Sequence, residues 1–175
     1  MSIRIEARDL RIAEAPACRR LLLRARADDA VFADEVRWVF GIRPPALPCT
    51  ATENEHARCL WLDPTCWLVE SGDREAELAF QRLAPIEVTD ARLVLTVEGR
   101  RARDLLAVGT GIDLHPAAFP PGRVVRTLFG RLGATLYLAD AAPLLVAPLF
   151  HLHVDRAAER WLADWLAAAV RGLDL

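Results

Sequence analysis

The chain has 175 residues, with 22 basic and 24 acidic side chains and a formal net charge of −2. All of the basic residues are arginine, which excludes a lysine Schiff base, a P-loop lysine and a lysine general base. The near-neutral charge disfavours a nucleic-acid-binding protein, which normally carries a strongly basic face. An apolar fraction of 53% and a charged fraction of 26% indicate a globular protein of one domain or two small fused halves.

The N-terminal segment alternates charged and apolar residues, unlike a secretory signal with its apolar centre. The longest charge-free apolar run, residues 141–150, is too short to span a bilayer, which needs about 20 residues. The four cysteines form no CxxC pair and are typical of reduced thiols in a cytosolic protein. We therefore expect a cytoplasmic protein that binds neither membranes nor nucleic acid.

Residues 11–87 are predicted to form a first half with the split βαβ element order, β-α-β-β-α-β, after an N-terminal extension over residues 1–10. An apolar strand around Leu22 precedes a helix that Asp28 or Asp29 caps and Gly41 ends. Apolar segments on both sides of Asp63 predict a hairpin. The remaining elements of this half are a helix over residues 72–85 and a strand over residues 86–89.

Residues 88–172 are predicted to form a second α+β half with a similar order of elements. The predicted elements are a strand over 92–98, a helix over 100–108, an irregular loop over 110–122, strands around 124–129, 134–138 and 149–154, and a final helix to about 171. Asp155 is expected to cap the final helix, whose apolar residues recur at helical spacing. The predicted fold class is α+β, with pseudo-duplicated, ferredoxin-like split βαβ halves in one compact unit.

The residues alone do not predict a complete active site. His151 and His153 lie two apart on a strand near Asp155, but a metal site needs three or four ligands. Solvent-facing strand histidines are therefore the preferred interpretation, and a metal-dependent enzyme is a minor alternative. Cys59 lies in an apolar strand and is interpreted as core packing, and the sequence contains no GxSxG, GxGxxG or HExxH motif.

Arginines and tryptophans are the remaining candidates for binding. Residues 92–131 contain seven arginines and three acidic residues. These arginines could bind an anionic ligand or an acidic partner surface. Alternatively, they belong to a helix face and a loop that are simply solvated. Four tryptophans are candidates either for core packing or for anchors of an interface; they are Trp61, Trp67, Trp161 and Trp165.

Several segments resemble the sarcosine oxidase gamma-subunit family. Residues 60–69 (LWLDPTCWLV) resemble the family's LWLGPDEWL hairpin, and residues 88–92 (VTDAR) resemble its VSDAR strand. Residues 99–106 (GRRARDLL) are similar to GPRARDLL. Residues 113–123 (DLHPAAFPPGR), followed by Thr127, resemble DLHPRAFPPGR…TL, a long irregular stretch that is hard to match by chance. The resemblance covers roughly residues 10–170, although Asp63 and Cys66 replace the family's turn glycine and an acidic residue.

The resemblance implies a small, non-catalytic subunit of a heterotetrameric sarcosine oxidase-like complex. Such a complex converts sarcosine to glycine and forms hydrogen peroxide and methylene-tetrahydrofolate. The resemblance implies an aminomethyltransferase-like folate-binding-domain fold, related to the glycine-cleavage T-protein, and alpha, beta and delta partner subunits. FAD, FMN, NAD, zinc and tetrahydrofolate would belong to the parent complex, and the small subunit would have a structural role beside the folate domain of the alpha subunit.

No residue of this chain is predicted to be catalytic, to bind a cofactor or to hold a metal. The candidate interface or motif residues are Trp61, Trp67, Arg100, Arg103, Asp113, His115, Phe119, Gly122, Arg123, Thr127, Trp161 and Trp165. An alternative function is a free-standing folate-binding protein of the aminomethyltransferase-like kind, whose arginines between Arg100 and Arg126 would hold the glutamate tail.

Overall fold

The computed structural model describes residues 3–72, 84–139 and 147–173. Residues 16–89 form a continuous compact unit, and residues 1–15 and 90–175 form a second, discontinuous unit. The described residues form two antiparallel sheets and three α-helices, which is an α+β fold. No helix in these ranges is long and apolar enough to cross a membrane.

The continuous unit has a five-stranded sheet in the order β4-β5-β6-β3-β7. Strands β3 and β5 lie on either side of β6 and pair antiparallel with it, which is the predicted split βαβ arrangement. The predicted helix over residues 72–85 lies almost entirely outside the described residues. The elements are β3 (Arg19–Arg24), α1 (Ala30–Phe40), β4 (Ala51–Glu53), β5 (Ala57–Asp63), β6 (Cys66–Ser71) and β7 (Ile86–Glu87).

Helix α1 begins and ends at the predicted residues. The Asp29 carboxylate accepts hydrogen bonds from the N–H groups of Val31 and Phe32 at 3.0 and 3.1 Å, which satisfies two donors of the first turn. Gly41 ends the helix in a left-handed conformation, with φ of 68°. The buried side of the helix packs on the sheet; its residues are Phe32, Val36 and Phe40.

The discontinuous unit has a six-stranded sheet in the order β1-β2-β8-β11-β10-β9. Its strands are β1 (Arg4–Ala7), β2 (Leu10–Glu14), β8 (Arg92–Glu98), β9 (Val124–Phe129), β10 (Leu132–Leu138) and β11 (Leu149–Asp155). Its helices are α2 (Ala102–Gly109) and α3 (Glu159–Gly172), preceded by a 3₁₀ turn at Arg156–Ala158. Asp155 caps this 3₁₀ turn, because its side chain accepts a hydrogen bond from Ala157 N at 2.8 Å, whereas the N-cap residue of α3 itself, Ala158, makes no side-chain capping bond.

Two features of the discontinuous unit differ from the sequence expectation. Residues 4–14 form β1 and β2 instead of an extension, and β2 pairs with β8, where Ile12 lies opposite Val97. Strands β9, β10, β11 and β8 lie side by side in that order, so the split βαβ strand order of the first unit is not repeated. Both differences come from pairings between distant strands, which local sequence patterns do not specify.

Candidate functional site

Residues 113–123, here called the DLHP loop, are held in a defined conformation by their own polar groups. Asp113 Oδ1 accepts a hydrogen bond from His115 N at 2.9 Å, and His115 Nδ1 accepts one from Ala117 N at 3.2 Å. The carbonyl oxygen of His115 accepts a further bond from Phe119 N at 2.8 Å. Asp113 and His115 are exposed, so these side chains shape the loop backbone at the surface.

Arg103 on α2 forms hydrogen bonds to the backbone of the DLHP loop. Its guanidinium donates to Leu114 O and to Phe119 O, the latter at 3.3 and 3.4 Å from its two terminal nitrogens. Its Cζ atom lies 5.2 Å from the centroid of the Phe150 ring, and Phe119 packs on the same ring with centroids 6.0 Å apart. Burial lowers the pKa of Arg103. Arg103 therefore positions the loop.

The far end of the DLHP loop leads into β9. Gly122 has a φ of 77°, which suits glycine, and its N–H donates to Leu138 O at 2.8 Å. Leu138 N in turn donates to Arg123 O at 3.1 Å, while the Arg123 side chain is exposed. Further along β9, the hydroxyl oxygen of Thr127 lies 3.2 Å from that of Thr110. The loop is thus anchored at both ends.

The start of α2 is joined to the β1–β2 turn. Gly99 has a φ of 124°, and a Cβ atom there would lie 2.1 Å from Asp9 O, so only glycine fits. Arg101 N donates to the same Asp9 oxygen at 3.1 Å, and the Arg101 side chain pairs with Asp104 at 2.7 Å. The Arg100 side chain is exposed. The arginines of this segment therefore differ in role, and only some face solvent.

Trp161 and Trp165 stack on the surface of α3, with ring centroids 6.3 Å apart and an interplanar angle of 23°. Trp165 also makes an edge contact with Phe129 at 4.9 Å. A Cβ atom on Gly130 would lie 2.7 Å from the Trp161 ring, so the backbone at Gly130 packs closely against that ring. Trp161 is 38% exposed, which makes it a surface residue held by packing.

Trp61 and Trp67 belong to the continuous unit, where they lie opposite each other on β5 and β6. Trp67 is buried and packs on Phe32 with ring centroids 4.8 Å apart, and Trp61 is half-buried against the same core. Both therefore serve core packing. In the turn between them, Asp63 Oδ1 accepts hydrogen bonds from the N–H and hydroxyl of Thr65 at 2.9 and 3.0 Å.

The prediction of solvent-facing histidines at positions 151 and 153 is wrong. His151 is 6% exposed and His153 is fully buried, while Leu152 between them belongs to the core shared with α2 and α3. Across the sheet they lie opposite Tyr137 and Thr135, and the Tyr137 and His151 ring centroids are 5.7 Å apart. Both faces of β11 are thus covered, which the spacing of polar residues along one strand does not reveal.

No three His, Cys, Asp or Glu side chains within the described ranges are grouped closely enough to hold a metal ion. Cys59 is buried, as predicted, and burial raises the pKa of its thiol. Partial burial and the nearby Glu70 carboxylate raise the pKa of Cys18. Neither thiol is activated as a nucleophile, since a reactive cysteine requires a lowered pKa.

The structure brings one set of candidate residues together and separates the others. Arg103, Asp113, His115 and Phe119 meet at the DLHP loop, with Gly122 and Arg123 at its end. Sequence analysis missed the partners that fix this site, namely Leu114, Phe150 and Leu138, and also missed Asp9 and Phe129. Phe129, Leu138 and Phe150 are apolar strand residues, Leu114 lies in the loop and Asp9 in the β1–β2 turn, and the contacts of all five come from tertiary packing.

The SoxG family profile, described as "Sarcosine oxidase, gamma subunit family", matches residues 24–150. This range is well over half of the chain. The chain belongs to the sarcosine oxidase gamma subunit family. The range matched by the gamma subunit family includes the DLHP loop and both hairpin tryptophans, but excludes Trp161 and Trp165 on α3.

The gamma-family chain is also similar to a chain of known structure. The similar chain comes from the heterotetrameric sarcosine oxidase of Corynebacterium sp. U-96 in complex with pyrrole 2-carboxylate, with a TM-score of 0.81. The alignment has 18% identity and covers 99% of this chain and 90% of the other. At this identity the likeness establishes a shared fold. A search among curated proteins gave no match.

Proposed function

We propose that this chain is the small, non-catalytic subunit of a heterotetrameric oxidase complex of the sarcosine oxidase type. The observation that carries the proposal is the gamma-family match over residues 24–150. The structural likeness to a chain of a heterotetrameric sarcosine oxidase, over 99% of this chain, supports it. The proposed partners are alpha, beta and delta subunits, and the proposed cellular location of the complex is the cytoplasm.

The proposed reaction of the complex is oxidative demethylation of sarcosine to glycine, which forms hydrogen peroxide and methylene-tetrahydrofolate. We assign FAD, FMN, NAD, zinc and tetrahydrofolate to the other subunits. The residues of this chain do not fit a zinc site, because no third ligand joins His151 and His153 within the described ranges. They do not fit a dinucleotide fingerprint either, because the sequence has no GxGxxG.

The proposed fold relationship is to the aminomethyltransferase-like folate-binding domain, and the proposed position of the chain is beside the folate domain of the alpha subunit. There it would stabilise the complex and form part of the wall that keeps water away from the reactive one-carbon intermediate. The internally braced DLHP loop suits a wall, because a preorganised surface loses little conformational entropy on association.

Co-expression of the chain with the alpha, beta and delta subunits, followed by size-exclusion chromatography, tests the proposal. We expect a stoichiometric complex, which requires an interface of at least about 1,000 Å². A gamma-family chain that elutes as a monomer beside an assembled set of the other three subunits would contradict the subunit assignment.

The second candidate is a free-standing folate-binding protein, and the observation in its favour is that Arg100, before α2, and Arg123, at the end of the DLHP loop, are both exposed. Calorimetric titration of the isolated chain with tetrahydrofolate separates the two functions. The subunit proposal predicts no measurable heat at micromolar concentrations, whereas micromolar binding would favour the free-standing protein.

A further inference from the structure

Helix α1 exposes two large apolar side chains on the face opposite its buried side, here called the outer face of α1. Trp38 is 76% exposed and Val31 is 55% exposed. They are seven positions apart, which places them two turns apart on the same face of the helix. Trp38 is the most exposed large apolar side chain in the described part of the chain. Packing within the chain therefore does not account for this tryptophan.

The loop after α1, residues 41–50, is held beside the outer face. Asp34 lies between Val31 and Trp38 on that face, and its Oδ1 accepts a hydrogen bond from Arg43 Nη2 at 2.9 Å. Both side chains of this ion pair remain more than half exposed. Because Asp34 is already paired, a partner that covers the face does not bury an unpaired carboxylate, which would be costly.

The exposed carboxylates of α1 and of the turn before it are all engaged within the chain. They are Asp28, which pairs with Arg26, Asp29, which caps the helix, and Asp34, which pairs with Arg43. Glu35 is half-buried, and one of its carboxylate oxygens is inaccessible to solvent. Arg37, next to Trp38, is exposed, and its side chain forms no ion pair with any described residue. The exposed charge that this helix leaves for a partner is therefore positive.

These features together favour a different protein as the occupant of the outer face. Tryptophan and arginine are the residue types most enriched among the side chains that dominate binding energy at interfaces. Apolar residues two turns apart on one helix face are typical of a helix that packs into an apolar groove. A symmetric contact with a second copy would use the same face twice. It would supply Arg37 with no unengaged carboxylate from that face, whereas a partner with an acidic groove rim would.

We infer that the outer face of α1 docks into an apolar groove of a partner subunit, with Trp38 and Val31 as the apolar anchors and a carboxylate of the groove rim beside Arg37. This inference rests on the proposed function, because it names a docking surface of the same assembly. Trp38 contributes most of the apolar contact, and Arg37 fixes the orientation of the helix in the groove.

Truncation of Trp38 tests the apolar anchor in the co-expressed complex. We expect Trp38→Ala to weaken association at least about tenfold, as replacement of a central interface tryptophan does. The isolated variant should keep the wild-type circular dichroism, because the side chain is mostly in solvent. The matched control is Leu128→Ala, which shortens an apolar side chain that is 62% exposed on β9 and should assemble normally. Equal assembly of the two variants would overturn the inference.

Charge reversal at Arg37 tests the predicted carboxylate of the partner. We expect Arg37→Glu to weaken association at least about tenfold, because it places two carboxylates side by side. Arg37→Gln, which only removes the charge, decides the question if the reversal unfolds the last turn of α1. Arg8→Glu makes the same change of charge at an exposed position between β1 and β2 and should assemble normally. Arg37 variants that assemble as well as Arg8→Glu would overturn the inference.

The same experiments separate this inference from the proposed function. A wild-type complex whose assembly is unaffected by the Trp38 and Arg37 variants would overturn the inference alone. A wild-type chain that never assembles with the other subunits would overturn the proposed function with it. Light scattering of the isolated wild-type chain should give a monomer. A dimer that Trp38→Ala abolishes would assign the outer face of α1 to a second copy and overturn the inference.

Discussion

At the scale of single residues, Arg103 shows how an arginine in a basic segment serves the fold instead of a ligand. Its guanidinium donates to two carbonyl oxygens of the DLHP loop and lies over the ring of Phe150. Arg100, three residues earlier, is exposed. Arg103 thus stabilises the DLHP loop, whereas Arg100 is an exposed surface residue, and substitutions at the two positions should change the stability of the protein by different amounts.

Replacing Arg103 with leucine should destabilise the protein, because it leaves the carbonyl oxygens of Leu114 and Phe119 without these donors. Hydrogen bonds from a charged group are worth about 1.5–3 kcal/mol, so we expect the free energy of unfolding in urea to fall by about that amount. The DLHP loop should also become more sensitive to limited proteolysis. Arg100→Leu is the control and should change the stability by less than about 0.5 kcal/mol. Equal effects of the two variants would contradict the positioning role of Arg103.

The buried thiol of Cys59 predicts a pH dependence of stability. Burial raises the pKa of this thiol in the folded protein, whereas the thiol of the unfolded chain has a pKa of about 8.5. Above that pH the unfolded chain loses a proton that the folded chain retains, so the free energy of unfolding falls, by up to about 1.4 kcal/mol per pH unit for this group. Denaturant unfolding under reducing conditions between pH 8 and 9.5 measures the slope. Cys59→Val should have a shallower slope than wild type, and an unchanged slope would show that Cys59 does not cause the loss.

At the scale of elements, three strands of the continuous unit are joined by a row of charged side chains. Arg20 on β3 and Arg58 on β5 lie opposite Glu70 on β6. Arg20 Nε is 2.8 Å from Glu70 Oε1, and Arg58 Nη1 is 3.6 Å from Glu70 Oε2. The Arg20 and Glu70 side chains are each only 6% exposed, so the ion pair is buried. Cross-strand pairs of this kind specify which strands are neighbours.

Glu70→Gln should be strongly destabilising, because it leaves the Arg20 guanidinium buried beside a neutral group. Loss of one partner of a buried ion pair typically costs about 3–5 kcal/mol. Glu53→Gln is the control, because Glu53 pairs with Arg58 at 3.5 Å where both side chains are about a quarter exposed, and we expect a change below about 1 kcal/mol. Chemical unfolding of both variants measures the difference. Similar losses of unfolding free energy in the two variants would show that burial does not determine how much these ion pairs stabilise the sheet.

At the scale of the whole molecule, the discontinuous unit depends on a segment far from it in sequence. Strands β1 and β2 supply two of the six strands of its sheet, and Ile3, Leu10 and Ile12 lie in its core. Glu14 also forms an ion pair with Arg156 at 3.0 Å. The first fifteen residues are therefore part of the folded unit, and the continuous unit is inserted between them and the rest of it.

Removal of residues 1–14 should abolish cooperative folding. The three buried apolar side chains alone contribute about 5–8 kcal/mol, which is comparable with the total stability of about 5–15 kcal/mol of a small protein. Circular dichroism and the soluble yield of the truncated chain measure the loss. Arg4→Ala/Glu6→Ala, which removes only an exposed ion pair of β1, should melt like the wild type. A truncated chain with a wild-type melting curve would contradict the structural role of β1 and β2.

Much of the local structure could be predicted from the sequence by itself. The caps of α1 at Asp29 and Gly41, the turn at Asp63 and the cap at Asp155 were all predictable, because each depends on residues within a few positions of one another. The family resemblance was also readable, because the DLHP loop is a long irregular motif. These signals determined the α+β class and the membership of the gamma subunit family.

Tertiary structure alone decided how the elements pair and which side chains are covered. The joining of β2 to β8, whose residues Ala13 and Thr96 are 83 positions apart, leaves no local signal. The burial of His151 and His153 and the contacts of Arg103 likewise depend on segments remote in the chain. Hydrogen bonding and apolar spacing act between near neighbours and can be read along the sequence, whereas strand pairing and burial are set by the free energy of packing the whole chain.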